Sequence, residues 1–465
     1  MLNVISTIVL ARLLSPGEIG IFSVAAVLIG MAQMIREFGV GQYLIKEKKL
    51  SAEKIQAAFG LTIAFAWTMG AVLWFIAPAV SRFYNEPGLE NVIHVLVINV
   101  MLIPFGSVIL ALLNRELKFD ALFRIKAVAA LIYTITAISL ALLNFGYMSL
   151  AWAALGNVIA TILMANVYRP DNVPIFPGFR EIRPVFAFGY KVTVASLFKE
   201  IGSASPDLII GRILNMDAVG YFSRAMGIIT LFRQAVIDGI NQILLPHFSL
   251  KVRKGENLDE IYLQGMSYIL GIAWPFFIFV AILAGPIVNT LFGDQWDASI
   301  PIVRILCLYA MIETLSVMYN QILIALGATH KNMRFEIIVN SALVVLLIAG
   351  ASLFGLEGAA WALVAKALLS MRIIQTSLRS LLSIERKSYI SLVKINMQIA
   401  IAAMTVPVAL YLFAGFHPDS YISTLILSAV GAGFGWMLAV KLLRHPLSHE
   451  LDEAVRFIGK SKAIK

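Results

Sequence analysis

Cysteine occurs once in 465 residues, at Cys307, so no disulfide can form within the chain and the redox compartment goes unrecorded. Charge is scarce as well: Asp, Glu, Lys and Arg make up 14% of residues against 60% hydrophobic, and mean hydropathy is +0.85. That balance cannot be wrapped into a water-soluble globule, and the chain reads as a membrane protein. Alternating ten-residue segments are missing, which excludes barrel strands and leaves helices as the spanning elements. A compact basic face with its own fold is missing, so the net charge of +10 does not point to nucleic acid. His445 and His449 lie four apart with no third ligand in sight, so no metal site is indicated. Long polar loops with paired carboxylates are missing too, which argues against an enzyme and leaves no catalytic residue or cofactor to assign. Met1 to Leu14 has neither the basic start nor the small-residue cleavage site of a signal peptide.

What the sequence does have is apolar runs of the roughly 20 residues that carry a helix across a bilayer. Thirteen are legible, at 19–40, 56–81, 91–113, 123–144, 148–167, 187–211, 218–246, 262–291, 301–326, 333–353, 358–381, 391–414 and 421–442, and an incomplete one occupies 1–14. Lys and Arg concentrate in alternate breaks, for example Lys46, Lys48, Lys49 and Lys54, then Arg115 and Lys118, then Lys251, Arg253 and Lys254. The opposite breaks hold only Arg12, Arg82 and Arg212, with acids such as Glu86, Asp294, Asp297, Glu357 and Asp419. Because cytoplasmic loops carry the positive excess, both termini are expected in the cytoplasm.

Residues 11–23, ARLLSPGEIGIFS, return at an offset of 200 as GRILNMDAVGYFS, and the echo continues through Ala25, Ile29, Gly39, Gln42 and Leu44 to Ala225, Ile229, Gly239, Gln242 and Leu244. FGYMSLAWA at 145–153 likewise resembles FGLEGAAWA at 354–362. Two halves of six spans with one plan predict parallel repeats about an axis along the membrane normal. The expected organisation is an N-terminal lobe over 1–180, a C-terminal lobe over 181–382, an accessory pair of spans over 383–445 and a basic tail over 446–465. By the same offset the first span lacks a counterpart of 189–200, about 18 Å of helix, so the chain is expected to begin late.

Ionisable residues at depth are the best pointers to function, because each costs roughly 3 kcal/mol or more in lipid. Thr193, Ser196, Glu200, Ser203 and Asp207 form one stripe down a helix with Lys199 beside it, and Asn3 and Thr7 sit at the equivalents of Ser203 and Asp207. The next span carries Ser223, Gly227, Thr230, Gln234, Asp238 and Asn241, flanked by Arg224 and Arg233. Its repeat partner carries Ser23, Gly30 and Glu37, with Arg36 at the inner end. Helix packing alone accounts for the hydroxyls. Lys199, Glu200, Arg224, Arg233 and Asp238 together exceed what packing needs and point to a water-filled cavity. Arg36 with Glu37 either joins it or snorkels to the headgroups. Glu313 and Lys366 stand as isolated candidates at moderate depth, while Arg304 and Arg372 sit near span ends. Gly431 and Gly435 form a GxxxG packing face. Leu447, Leu451, Val455 and Ile458 suggest a short interfacial helix or a frayed tail.

The stretch ARLLSPGEIGIFSVAAVLIGMAQMIREFGVGQYLIKEKKLSAEKIQAAFGL, the NRELKF loop at 114–119 and the FGDQW turn at 292–296 resemble the bacterial polysaccharide flippases. The likeness is greatest to the branch exporting colanic acid, teichuronic acid and succinoglycan units, in the multidrug/oligosaccharidyl-lipid/polysaccharide exporter superfamily. That resemblance implies an all-α polytopic protein of about 14 spans in the bacterial inner membrane. It implies transport of an undecaprenyl-diphosphate-linked oligosaccharide from the cytoplasmic leaflet to the outer one, with a polysaccharide polymerase and chain-length machinery as partners. The cations Lys199, Arg224 and Arg233 would hold the diphosphate, and Glu200, Asp238, Arg36 and Glu37 would share the substrate site. Glu200, Asp207 and Asp238 are able to take up a proton or sodium for coupling, and equally able to serve as counter-ions. A drug or cation antiporter of the related branch would share the two-lobe plan but would favour an acidic cavity. A scaffold would explain the spans and not the charged stripes.

Overall fold

The computed structural model describes residues 2–47, 50–170, 176–178, 180, 182–237, 258–325, 329–381, 386–413, 421–450 and 452. They form helices and, among the described residues, no strand. In chain order these are α1 (Leu2–Leu13), α2 (Pro16–Glu37), α3 (Val40–Lys46), α4 (Ala52–Tyr84), α5 (Gly88–Leu102), α6 (Pro104–Arg115), α7 (Phe119–Leu142), α8 (Met148–Val167), α9 (Ile182–Ile213) and α10 (Met216–Phe232). There follow α11 (Asp259–Ile282), α12 (Ala284–Leu291), α13 (Ile300–Thr314), α14 (Tyr319–Ala325), α15 (Thr329–Leu381), α16 (Arg386–Ala403), α17 (Thr405–Phe413) and α18 (Tyr421–Leu442).

Among the described residues seven helices are long and apolar enough to cross a membrane, or up to nine if each sharply bent pair counts as one span. The bends have chemical causes. Pro104 has no N–H to continue the helix, and α5 and α6 meet at 49°; the Trp67 indole donates to the Met101 carbonyl beside the break. The bend of 41° between α16 and α17 precedes Pro407. Gly355, at φ 62 and ψ −144, breaks the 53-residue α15 into two arms. Gly350 and Gly358 then face each other so closely that a Cβ on either would run into the other's carbonyl. The sequence reading of separate spans at 333–353 and 358–381 rests on that one left-handed glycine.

The chain divides into two compact units, Met1–Ser223 and Arg224–Lys465. The division falls inside α10, because its first turns pack with the N-terminal helices, whereas the sequence repeat led to the expectation of a boundary at 180/181. In the first unit α2 packs against α5, α9 and α4, and α7 against α8. In the second, α11 packs against α13 and α16, α13 against α15, and α16 against α18. The GxxxG of α18 lies on its partner as its composition predicts: a Cβ on Gly431 would meet Val406, and one on Gly435 would lie 2.9 Å from the Ala402 carbonyl.

Beyond α18 the chain turns back onto α11. His445 is fully buried and both its ring nitrogens are engaged: the Leu447 N–H donates to Nδ1 at 3.2 Å, so Nε2 carries the hydrogen and donates to Ser267 Oγ at 2.6 Å. Gly271 leaves room for this latch, since a Cβ there would lie 2.9 Å from Leu447 and 3.0 Å from His445. Leu451, Val455 and Ile458, on which the expected interfacial helix rests, lie outside the described residues.

Candidate functional site

In the first unit, α2 starts with a reciprocal cap: the Ser15 backbone N–H donates to Glu18 Oε2 at 2.8 Å, and the Glu18 N–H donates to Ser15 Oγ at 3.3 Å. It ends where Phe38 and Gly39 both turn left-handed, at φ 41 and φ 63. Phe38 stacks 4.6 Å from Phe65 of α4 and packs tilted 5.1 Å from Phe186 of α9, against the bare backbone of Gly189. This anchoring fixes the residue two positions earlier. Arg36 is only 6% exposed, so its side chain does not snorkel outward. Its Nε and Nη1 are buried and, among the described residues, have no hydrogen-bond partner. Glu37, next in sequence, is exposed and turns toward Gly41.

Along α9, Glu200 is half-buried and faces α2, its Oε1 lying 3.9 Å from where a Cβ on Gly30 would be. Ser203 is exposed and returns its hydroxyl to the Glu200 carbonyl at 3.0 Å, and Asp207 is half-buried one turn further on. Pro206 sits inside this helix with no N–H for the Gly202 carbonyl, which accepts instead from Ser205 Oγ at 2.9 Å. The side chains of Lys199, Thr193, Ser196 and Asn3, and the whole of Asp238 and Asn241, lie outside the described residues.

The second unit has its own charged set. Arg224 places its Cζ 5.8 Å from the centroid of the fully buried Trp296, a cation–π contact with the FGDQW turn. Arg233 is exposed and opens a five-residue π-helical turn, Arg233–Ile237; such turns appear mostly as single bulges and often mark functional positions. Arg233 is also within electrostatic reach of Tyr309 on α13. Tyr309 shares a face with Glu313 one turn on, and Lys366 of α15 joins both, 3.0 Å from Glu313 Oε1 and 5.8 Å from the Tyr309 ring centroid. On the other arm of α15 the Asn340 amide donates to Glu336 at 3.0 Å. Glu313 and Lys366 are therefore not isolated, and Tyr309, Trp296 and Asn340 join a set that sequence reasoning had filled with charges alone. The spacing of four puts Tyr309 beside Glu313 on a helix, a signal the sequence reading did not use, and nothing in the sequence links either to Lys366.

The first unit thus buries Arg36 among apolar helices, and the second holds Arg224 and Lys366 partly buried and Arg233 exposed, with carboxylates and hydroxyls at hand. Such groups can hold an anionic and hydroxyl-rich headgroup. No group of three or more His, Cys, Asp or Glu residues placed to hold a metal occurs among the described residues.

Known proteins extend this reading. The lipopolysaccharide biosynthesis protein WzxC of Escherichia coli K12 is 21% identical over 362 residues, 77% of this chain and 73% of that one. The teichuronic acid biosynthesis protein TuaB of Bacillus subtilis 168 is 22% identical over 309 residues, 64% of this chain and 62% of that one. Among solved structures, the lipid II flippase MurJ in an inward closed conformation superposes with a TM-score of 0.77 at 12% identity, covering 95% of this chain and 97% of that one. An inward-facing multidrug transporter of the MATE family gives 0.61 at 17% identity, covering 82% and 94%. At those identities the two structures establish a shared fold. The sequence profile of the family described as polysaccharide biosynthesis protein matches residues 9–301, and the chain belongs to that family.

Proposed function

We propose that this protein is a flippase that carries an undecaprenyl-diphosphate-linked oligosaccharide repeat unit across the cytoplasmic membrane by alternating access, with both termini in the cytoplasm. The observation that carries the reading is Arg36. A guanidinium buried with Nε and Nη1 unpartnered among the described residues is a large cost that their packing does not explain, and an anionic ligand arriving at the site removes it. A diphosphate supplies that charge, and Arg accepts it through several N–H donors at once.

The remaining assignments follow from the same chemistry. Stripping water from each sugar hydroxyl in hydrocarbon would cost several kcal/mol, so the headgroup needs acceptors such as Glu200, Glu37 and Asp238 along its path. Lys199, Arg224 and Arg233 add positive charge for the diphosphate, while the prenyl tail stays in lipid. Coupling to a proton or sodium would fall to Glu200, Asp207 or Asp238. A polymerase and chain-length machinery would take the product on the far side. The names of the relatives, a lipopolysaccharide and a teichuronic acid biosynthesis protein, support a polysaccharide precursor as cargo.

The test is polymer export in a strain lacking the gene, complemented with charge reversals at Arg36, Arg224 and Arg233. Export should be lost while the variants still insert in the membrane at wild-type levels. Full export by all three would remove the case for the cations. Drug hypersensitivity of the deletion strain with normal polysaccharide would point instead to the antiporter branch.

A further inference from the structure

The charged cluster around Lys366 has no part in the diphosphate chemistry assigned above, and α13 and both arms of α15 converge to build it. Tyr309 and Glu313 lie one turn apart on α13, and Ser316 follows in the turn to α14, its N–H donating to the Glu313 carbonyl at 2.9 Å. Lys366, on the second arm of α15, meets both, 3.0 Å from Glu313 Oε1 and 5.8 Å from the Tyr309 ring centroid. Glu336, on the first arm, lies within electrostatic reach of Lys366 and accepts from the Asn340 amide at 3.0 Å. All of these residues lie within the second compact unit.

The fold does not require this charge. The echo of FGYMSLAWA in FGLEGAAWA pairs Trp152 with Trp361, and the same register pairs Asn157 with Lys366 and Thr161 with Ser370. Local geometry agrees: the Thr161 hydroxyl donates to the Asn157 carbonyl at 2.8 Å, and the Ser370 hydroxyl to the Lys366 carbonyl at 2.9 Å. The first repeat thus builds the same helix with a neutral amide in place of the ammonium. A buried ion pair adds little stability over apolar residues of similar size, so folding does not account for the charges at 313 and 366.

Nor is the cluster closed. Glu313 Oε2 and Ser316 Oγ are buried and, among the described residues, lack a hydrogen-bond partner. The Glu313 side chain is 35% exposed and that of Lys366 15%. Charges open to hydrocarbon are costly, so this open edge faces an aqueous path. Charge then decides what fits. A metal cation would have to displace the ammonium already present, and an acidic group would crowd both Glu313 and Glu336. Arg233, within reach of Tyr309, adds a second cation to match the two carboxylates. With charges matched, the unpartnered acceptors suit a neutral donor. Adjacent hydroxyls of a sugar ring supply two donors, the ring C–H groups rest on an aromatic face, and Lys366 has further N–H groups for the ring's own oxygens.

Given the flippase function above, on which this rests, we propose that Tyr309, Glu313, Ser316 and Lys366 form a subsite of the second unit that holds an uncharged sugar ring of the cargo through its adjacent hydroxyls. Recognition of the sugar is thereby separate from recognition of the diphosphate, and the two respond to different residues.

Binding to the whole chain in lipid nanodiscs tests it, with undecaprenyl diphosphate, its glucosyl derivative and its glucuronosyl derivative as probes. The wild type should bind the glucosyl lipid roughly tenfold more tightly than the bare diphosphate lipid, as hydrogen bonds to a charged acceptor imply, and the glucuronosyl lipid no more tightly than the bare one. Glu313→Gln keeps the shape and an acceptor for Lys366, and should bring the glucosyl preference below about twofold. A merely structural role for Glu313 would weaken both lipids alike and leave that ratio unchanged, which would overturn the subsite. So would a wild type with no glucosyl preference, or one that favours the glucuronosyl lipid; in each case binding of the diphosphate lipid leaves the flippase reading standing. A wild type that binds none of the three probes would bring that reading down as well. Should Glu313→Gln not accumulate, Ser316→Ala removes a hydroxyl without a partner among the described residues and should cut the preference about threefold. An unchanged preference in that variant would count against the subsite.

Discussion

Lys366 Nζ sits 3.0 Å from Glu313 Oε1 and ties α15 to α13 across 53 residues of sequence. The second Glu313 oxygen, Oε2, is buried and has no hydrogen-bond partner among the described residues. Removing one member of such a pair strands the other. Lys366→Met or Glu313→Leu alone should lower stability by about 1–3 kcal/mol, moderated by the partial exposure of Glu313. The double replacement should recover most of the loss, since neither charge is then stranded. Thermal midpoints in detergent for the four proteins of the cycle measure the coupling, and additive losses would mean that the pair is not energetically joined.

Arg36 predicts the opposite relation between stability and activity. Because its guanidinium has no hydrogen-bond partner for Nε and Nη1 among the described residues, replacing it with Met should leave the unliganded fold as stable or raise its stability by roughly 1 kcal/mol or more. Export should fall to background in the same variant. A residue kept for packing would lose both together, so a clear drop in the thermal midpoint of Arg36→Met would sink the assignment.

Much of the fold was legible because bilayer physics leaves few choices: long apolar runs must be helices, and the alternation of Lys and Arg gave a topology to test. The repeat was legible as identities between 11–44 and 211–244, yet identity alone does not say that Gly20 touches Gly220. That contact depends on how two surfaces meet. The bends at Ile103 and Met404 were missed because a hydropathy average runs through a proline without noticing it. Arg36 was ambiguous since depth along a helix does not reveal which side chains cover it; its burial follows from the packing of Phe38 on Phe65 and Phe186. Glu313 and Lys366 looked solitary for the same reason, as no local spacing connects residues on different helices.

The latch after α18 gives a pH dependence. Burial pushes the His445 imidazole from its usual range down to about 4, and the neutral ring is the form that both accepts from Leu447 and donates to Ser267. In the unfolded chain the ring titrates near an ordinary value of about 6.5. Between those values the unfolded chain holds the proton and the folded one does not, so this stabilisation is complete above about 6.5 and is lost as pH falls toward 4. The amount at stake is on the order of 3 kcal/mol. The thermal midpoint of the wild type should drop over that interval, and His445→Gln should be lower at neutral pH but flatter across it. Parallel profiles for the two proteins would show that His445 is not the titrating group.

Three glycines distinguish a junction that can open from one that cannot. Gly227 in α10 has nothing among the described residues within 4 Å of its added Cβ, so Gly227→Ala should be neutral or stabilise by up to about 1 kcal/mol through helix propensity. Gly350→Ala drives a methyl into the Gly358 carbonyl, and the chain reversal at Gly355 keeps the two arms from moving apart, so the full overpacking cost of roughly 3 kcal/mol should appear. Gly20→Ala makes a comparable collision with the Met216 carbonyl, but here the strain is relieved when the independently capped helix tips move away from each other. The loss should then fall short of the full overpacking cost by the strain that this movement relieves. The order of thermal midpoints should therefore be Gly227→Ala highest, Gly20→Ala intermediate and Gly350→Ala lowest. If Gly20→Ala proved as damaging as Gly350→Ala, the tips of α2 and α10 would be a fixed joint rather than a separable one.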